Sequence, residues 1–388
     1  MPDENEIEDL DLSDIESDAD NASEDPFAEE TVGRSLNDII IRPFDPSQIR
    51  VETKPMVISL LLDRIKNFEI DLNPGFQREG GIWSTKAKSR LIESLLIRIP
   101  LPAFYMDGTD ESRWLVVDGL QRLSSLTEFV IKGSLKLRGL EFLSDYEGAT
   151  FTKLPRRLQR RILETQVTVF LIQEHTPPEV KFNIFKRINT GGLPLSTQEI
   201  RHALNQGPAT ELLQELATDQ YFLEATQRGI PSKRMGDREC ILRFLAFAVT
   251  PPEKYKSYDM DSFLNETMAT LNRMTDQGRR DIADRFRHSM EINRTLWGEY
   301  AFRKRRPDSS RRAPINRALF EIWSVTIDEL KSKDIAPLVE RRELLNEKML
   351  EAFADVAFDA SISYGTGDSR KVEYRFKKAL TVVAETLQ

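Results

Sequence analysis

The chain has 388 residues, 30% of them charged, with a net charge of -8, one cysteine and three histidines. The lone Cys240 excludes an internal disulfide, and the widely separated His175, His202 and His288 argue against a zinc site or a histidine-dependent nuclease centre. No apolar run reaches roughly 18 residues and the N-terminus is acidic rather than basic-then-apolar, so neither a membrane span nor secretion is expected, and a cytoplasmic protein is.

The charge is unevenly placed. Residues 1–30 hold fourteen Asp and Glu and no Lys or Arg, which leaves +6 for the remainder. A run of that composition cannot bury enough apolar surface to order itself, so residues 1–33 are expected to be a disordered acidic tail. The tail admits two readings: a solubilising leader, or a nucleic-acid mimic that covers a basic groove or docks a partner. The length supports two domains beyond it, which the pattern places at 34–206 and 207–388.

After a sparse lead-in, Pro55 suits a first helical turn, with Val57, Leu61, Leu62 and Ile65 following on one face. A strand is predicted at Phe68–Leu72 and a turn at Asn73-Pro74-Gly75. Gln77 and Arg78 then lie on a loop, either as ligand-facing groups or as a surface pair. Ser84 is a suitable N-cap for a helix with Ala87, Leu91, Leu95 and Ile92, Leu96, Ile99 inward. Ala103–Met106 and Arg113–Val117 read as a hairpin.

The stretch Trp114-Leu-Val-Val-Asp118-Gly119-Leu120-Gln121-Arg122 reads as a buried strand, a glycine turn and an amphipathic helix whose Leu123, Leu126, Phe129 and Val130 face inward. Backbone N–H groups at such a helix start, with its dipole, suit a phosphate, and Arg122 can grip one bidentately. The bland alternative is a βα turn with Asp118 capping the helix and Arg122 in a salt bridge. Leu135–Leu137 suggests a further strand, Leu154–Gln166 a helix carrying Arg156, Arg157, Arg160 and Arg161, and Val167–Ile172 a strongly apolar strand. The four arginines are a solvated face or a phosphate-backbone contact.

A second polar group follows. A helix ending at Arg187-Ile-Asn189-Thr190-Gly191-Gly192 is followed by Ser196 and Glu199 as a capping box for the next helix. Capping accounts for Ser196 and Glu199, but not for the crowding of Arg187, Asn189 and Thr190. From about residue 207 the pattern is helical, with helices near 209–227, 237–249, 261–275, 279–300, 313–331, 338–356 and 369–386. Arg303, Arg305 and Arg306 head a basic loop that is either solvated or a nucleic-acid contact.

Together, Phe76-Gln77-Arg78…Trp83, Val117-Asp118-Gly119-Leu120-Gln121-Arg122-Leu123 and Phe185…Arg187-Ile-Asn189-Thr190-Gly191 resemble the N-terminal domain family of GmrSD-type, modification-dependent restriction systems. That family belongs to the ParB-like and sulfiredoxin-like superfamily. The resemblance covers roughly residues 50–250. It implies an α+β class: a small ParB/sulfiredoxin-like mixed sheet with helices, followed by an all-α extension. It further implies binding and hydrolysis of nucleoside triphosphates in bacterial anti-phage defence. Asp118, Gly119, Gln121 and Arg122 match the family's Asp-Gly-Gln-Gln-Arg motif, Gln77 and Arg78 its Phe-Gln-Arg stretch, and Asn189, Thr190 and Gly191 its Asn-Thr-Gly loop.

The chain departs from the pattern in two ways. Leu120 stands in place of the first Gln; this matters if that amide faces substrate and is harmless if it faces the core. Members with a C-terminal His-Asn-His nuclease domain also have no counterpart in three scattered histidines, so cleavage would need a separate nuclease or defence subunit, or a different centre.

Three function classes follow. The first is a nucleotide-binding NTPase module in which Arg122 and Arg78 hold phosphates, Asp118 holds Mg²⁺ or orients water, and Gln121 positions that water. The second is a DNA-binding module or nuclease regulated by nucleotide. The third is a non-enzymatic interaction protein with a degenerate site. The nucleotide's identity and the oligomeric state are not written in the sequence.

Overall fold

The computed structural model describes residues 49–72, 83–174, 176–188, 195–255, 259–305 and 312–388. The acidic tail, the Asn73-Pro74-Gly75 turn, Gln77, Arg78, Asn189, Thr190, Gly191 and Arg306 lie outside these residues. The chain forms two compact units. One holds the described residues up to Leu195 together with Glu199–Leu204, and the other holds Ser196–Gln198 and Asn205–Gln388.

The first unit is built on a five-stranded mixed sheet in the order β1-β5-β3-β4-β2: β1 Val51–Val57, β2 Ile70–Asp71, β3 Phe104–Asp107, β4 Trp114–Asp118 and β5 Gln166–Ile172. β1–β5 and β3–β4 are antiparallel, whereas β5–β3 and β4–β2 are parallel. Side chains alternate between faces as the strand period demands. Met106, Trp114, Val116, Val169 and Leu171 bury against α1 (Ile58–Lys66), α2 (Thr85–Leu96), α3 (Leu120–Leu126) and α4 (Arg156–Leu163). On the opposite face Val117 and Ile172 meet Phe182 and Phe185 of α5 (Pro178–Ile188) and Ile200 of α6 (Thr197–Leu204).

Several local expectations are corrected. Pro55 sits inside β1, opposite Thr168, rather than in a helical turn. β1 is an edge strand, where a residue with no N–H to donate costs least, and the helix waits until Ile58. The strand expected at Phe68–Leu72 shrinks to Ile70–Asp71, because Phe68 takes a left-handed φ of 60° and is largely exposed. Ile99 lies past the end of α2 and is exposed. Leu135 and Leu137 are buried without joining the sheet; residue 137 exchanges backbone hydrogen bonds with 148 and 149 instead. Ser84 does cap α2, accepting from the Ala87 N–H at 3.2 Å.

Glu93 on α2 holds the loop that follows α3. It is 3% exposed and accepts hydrogen bonds from the backbone N–H groups of Glu141, Phe142 and Leu143. Burial alone would raise its pKa, but these donors prevail and hold it below the ordinary 4.5. A depressed carboxylate stabilises the fold above the unfolded pKa, and that contribution is lost as pH falls through the folded value. Glu93→Gln is therefore expected to cost roughly 2 kcal/mol at pH 7. It should also flatten the fall of melting temperature between pH 5 and pH 3. An unaltered acid profile would show that this loop does not depend on the charge.

The second unit is all-helical around one large apolar core. The helix expected over 209–227 is two, α7 (Pro208–Ala217) and α8 (Gln220–Ala225), because Asp219 caps a new start by accepting from the Tyr221 N–H. After these come α9 (Gly236–Val249), α10 (Met260–Arg273), α11 (Asp276–Trp297) and α12 (Arg317–Glu329). The expected 338–356 helix breaks at Arg341 into α13 (Ser332–Glu340) and α14 (Arg342–Phe353), followed by α15 (Val356–Ser363) and α16 (Ser369–Leu387). Burial pushes the Cys240 thiol up to about 12, so the single cysteine is a core residue and not a nucleophile. Among the described residues no helix is long and apolar enough to cross a membrane. The mixed sheet with helices followed by helices alone is the α+β class that the sequence predicts.

Candidate functional site

The turn between β4 and α3 gathers the central motif. Gly119 has φ 99°, a left-handed conformation, and closes the turn by accepting the Leu123 N–H through its carbonyl at 2.9 Å. This places Asp118 at the last position of β4 and Arg122 one helical turn later. Arg122 donates to Asp118 Oδ2 at 2.7 Å. The same guanidinium donates to the Pro102 carbonyl and, at 3.2 Å, to the Ala103 carbonyl, and lies 4.6 Å over the Phe104 ring. With its side chain only 10% exposed, Arg122 ties the motif to the start of β3.

The Asp118 side chain is 26% exposed. Burial pushes its carboxyl above the ordinary carboxylate value, and the pull of Arg122 and the Gly119 N–H recovers only part of that. Arg122 is depressed, first by burial, with Asp118 opposing. Burial therefore outweighs the attraction on both sides of the pair, and the pair is held here at a cost to stability.

The remaining candidates separate. Gln121 is half-buried in the first turn of α3 beside the pair. Leu120 is 8% exposed and belongs to the apolar core, so the position that departs from the motif points inward. Arg187 is exposed at the last turn of α5, the helix whose Phe182 and Phe185 pack with Val117, the neighbour of Asp118. The four arginines of α4 do not form a free stripe. Arg160 is exposed but pairs with Glu164 at 2.9 Å, Arg161 donates to the Leu96 carbonyl at 2.5 Å and closes the end of α2, and Arg156 and Arg157 are exposed with no carboxylate partner among the described residues.

In the helical unit, Arg303 is buried and Arg305 lies 4.6 Å over the Tyr300 ring while donating to Asn346. Lys304 pairs with Asp359 at 2.7 Å.

Sequence reasoning missed one polar group in the first unit. Lys181, 7% exposed on α5, reaches Asp107 Oδ1 at 3.5 Å and donates to Thr109. Asp107 in turn accepts from the Thr109 N–H at 2.9 Å. Nothing in the helical spacing separates Lys181 from an exposed lysine; only the return of α5 over the end of β3 buries it.

Among the described residues no group of three or more His, Cys, Asp or Glu side chains is placed to hold a metal. Residues 58–205 match the family model for the N-terminal domain of the GmrSD restriction endonuclease. No curated protein matches the chain. The matched segment runs from the first residue of α1 past the last of α6, and it contains the Asp118–Arg122 turn and strands β2 to β5 of the sheet, leaving out β1; this α+β segment belongs to the GmrSD restriction endonuclease N-terminal domain family.

Proposed function

We propose that this domain binds and hydrolyses a nucleoside triphosphate as part of a restriction or defence system, with the chemistry centred on Asp118. The observation that carries the reading is the Asp118–Arg122 pair, fixed at 2.7 Å across a left-handed glycine at the end of a strand. A carboxylate raised by burial is a better proton acceptor than a free one, which suits a group that orients and activates water. Arg122 serves as the positioning residue: its guanidinium is spent on Asp118 and two carbonyls, so it fixes the carboxylate rather than gripping a phosphate.

Gln121, the neighbour of Arg122 in the first turn of α3, is our candidate to position the same water. Arg187, Gln77, Arg78, Asn189, Thr190 and Gly191 are the further nucleotide-binding candidates, on the strength of the sequence motifs that hold them. A single carboxylate that Arg122 engages through Oδ2 fits Mg²⁺, which keeps waters and takes phosphate oxygens rather than an all-protein cage. When bound with the nucleotide, Mg²⁺ would neutralise charge on the phosphates.

Phosphate release from the purified chain with each of the four NTPs and Mg²⁺ tests the reading. Asp118→Asn keeps an oxygen for Arg122 and removes the charge, so turnover is expected to fall at least about a hundredfold. Folding stability should fall by no more than about 1–3 kcal/mol, because the amide oxygen and the Pro102 and Ala103 carbonyls still accept from Arg122 after its counter-charge is lost. Parental turnover in the variant would overturn the assignment of Asp118. No turnover in the parent, with a nucleotide-dependent rise in melting temperature, would replace hydrolysis by a binding switch; no thermal shift either would favour an interaction module.

A further inference from the structure

The helical unit handles its buried arginines in two ways. Arg243 and Arg375 are 6% and 0% exposed, and both meet the Glu321 carboxylate. Arg303 is 8% exposed, yet its partner is the Ala313 carbonyl at 2.6 Å, and no carboxylate among the described residues pairs with it.

The surroundings of Arg303 add positive charge instead. A Cβ at Gly229 would fall 2.5 Å from Arg303 Nη2, so the guanidinium occupies the space that a side chain would take. Arg312, exposed, donates to the Gln227 side chain on the same turn. Gln227 and Arg228 both hold left-handed φ values, 51° and 55°, and Arg228 is exposed. Glu224, on the preceding helix, is already paired with Arg294. Burial depresses the Arg303 guanidinium's hold on its proton, and the charge of Arg312 depresses it further. A buried cation beside a second cation, with no acid paired to it among the described residues, calls for a counter-charge.

We propose that Arg303 and Arg312, converging on the 227–229 turn, form a binding site for a phosphoryl group. Two planar guanidinium forks match the oxygens of a phosphate, and Arg228 adds charge at the rim. The phosphate of a nucleotide and the backbone phosphate of a nucleic acid share this chemistry. The site lies in the helical unit and stands independently of the reading of Asp118.

Titration calorimetry of the full chain with inorganic phosphate tests it. Saturable binding is expected, weakened about tenfold by Arg312→Gln, an exposed position whose loss leaves the fold intact, and by Arg303→Lys, which keeps the charge but loses the fork. Asp118→Asn should leave this binding unchanged, which separates the site from that in the α+β unit. ATP and a short DNA duplex form two further arms. Arg312-dependent binding of ATP would identify a nucleotide as the source, and Arg312-dependent binding of the duplex, falling with salt, a nucleic acid. Absence of phosphate binding, or binding untouched by Arg312→Gln, would overturn the proposal; because Arg312 is exposed, this holds even if Arg303→Lys fails to fold.

Discussion

Glu321→Ala is expected to destabilise the helical unit by about 3–5 kcal/mol, enough to unfold much of it near body temperature. Glu321 on α12 is fully buried and receives two arginines: Arg243 of α9 at 3.1 Å and Arg375 of α16, which reaches it through Nε at 3.2 Å and through Nη2. Removing the one carboxylate strands two buried cations, and that penalty exceeds the value of the contacts themselves. Arg243 keeps Glu239 at 3.2 Å, so Arg375 carries most of the loss.

Replacing Glu321, Arg243 and Arg375 together by Met should recover part of the stability, since no bare charge is then left inside. Recovery should stay incomplete, because Arg375 Nη1 also satisfies the carbonyls of Ser361 and Thr366 at 3.2 and 2.6 Å. Thermal denaturation followed by circular dichroism reads both. A single variant with the parental melting temperature would mean that water reaches this cluster and the charges are not buried in solution.

Strands β3, β4 and β5 and the central turn were legible because their signals are local. The apolar run Leu115–Val117, the glycine after Asp118 and the helical spacing of Leu123, Leu126 and Phe129 each state one element, and the structure places them as read. Pro55 was misplaced because the same residue suits a helix start and an edge strand, and only the pairing of β1 with β5 across seven residues decides between them. The fate of Arg122 was only partly legible. Spacing allowed both a phosphate contact and the salt bridge that it makes with Asp118, but its further partners, the Pro102 and Ala103 carbonyls, come from the segment just before β3, some twenty residues earlier. The arginine runs show the same limit: composition counts charges, whereas the fold pairs Arg160 with Glu164, Arg161 with the Leu96 carbonyl and Lys304 with Asp359. The triad at Glu321 gave no signal, since each member sits on a different helix.

Gly119→Ala should be the most damaging single-methyl change in the α+β unit. Two costs add. The left-handed φ of 99° is one that an alanine adopts only with strain, at about 1–2 kcal/mol. The new Cβ would also lie 2.4 Å from Phe104 Cδ1 and 2.9 Å from Cε1. Phe104 is fully buried in the core, so its ring cannot swing away as a flexible surface chain would, and forced overpacking costs about 1–3 kcal/mol. The expected loss is therefore about 3 kcal/mol, read as a lower denaturation midpoint.

If Asp118 carries the proposed hydrolysis, turnover should suffer with the fold, because the Arg122 guanidinium rests over the same ring and a displaced ring displaces the group that fixes Asp118. Gly133→Ala supplies the comparison: Gly133 has φ 64°, but an added Cβ there meets nothing within 4 Å. That variant should show the backbone strain alone, about 1 kcal/mol, and parental phosphate release. If Gly119→Ala costs no more than Gly133→Ala and turns over at the same rate, then the contact of Phe104 with the turn does not hold the site. If turnover falls while the two variants remain equally stable, the glycine serves the geometry of Asp118 and not the packing of the core.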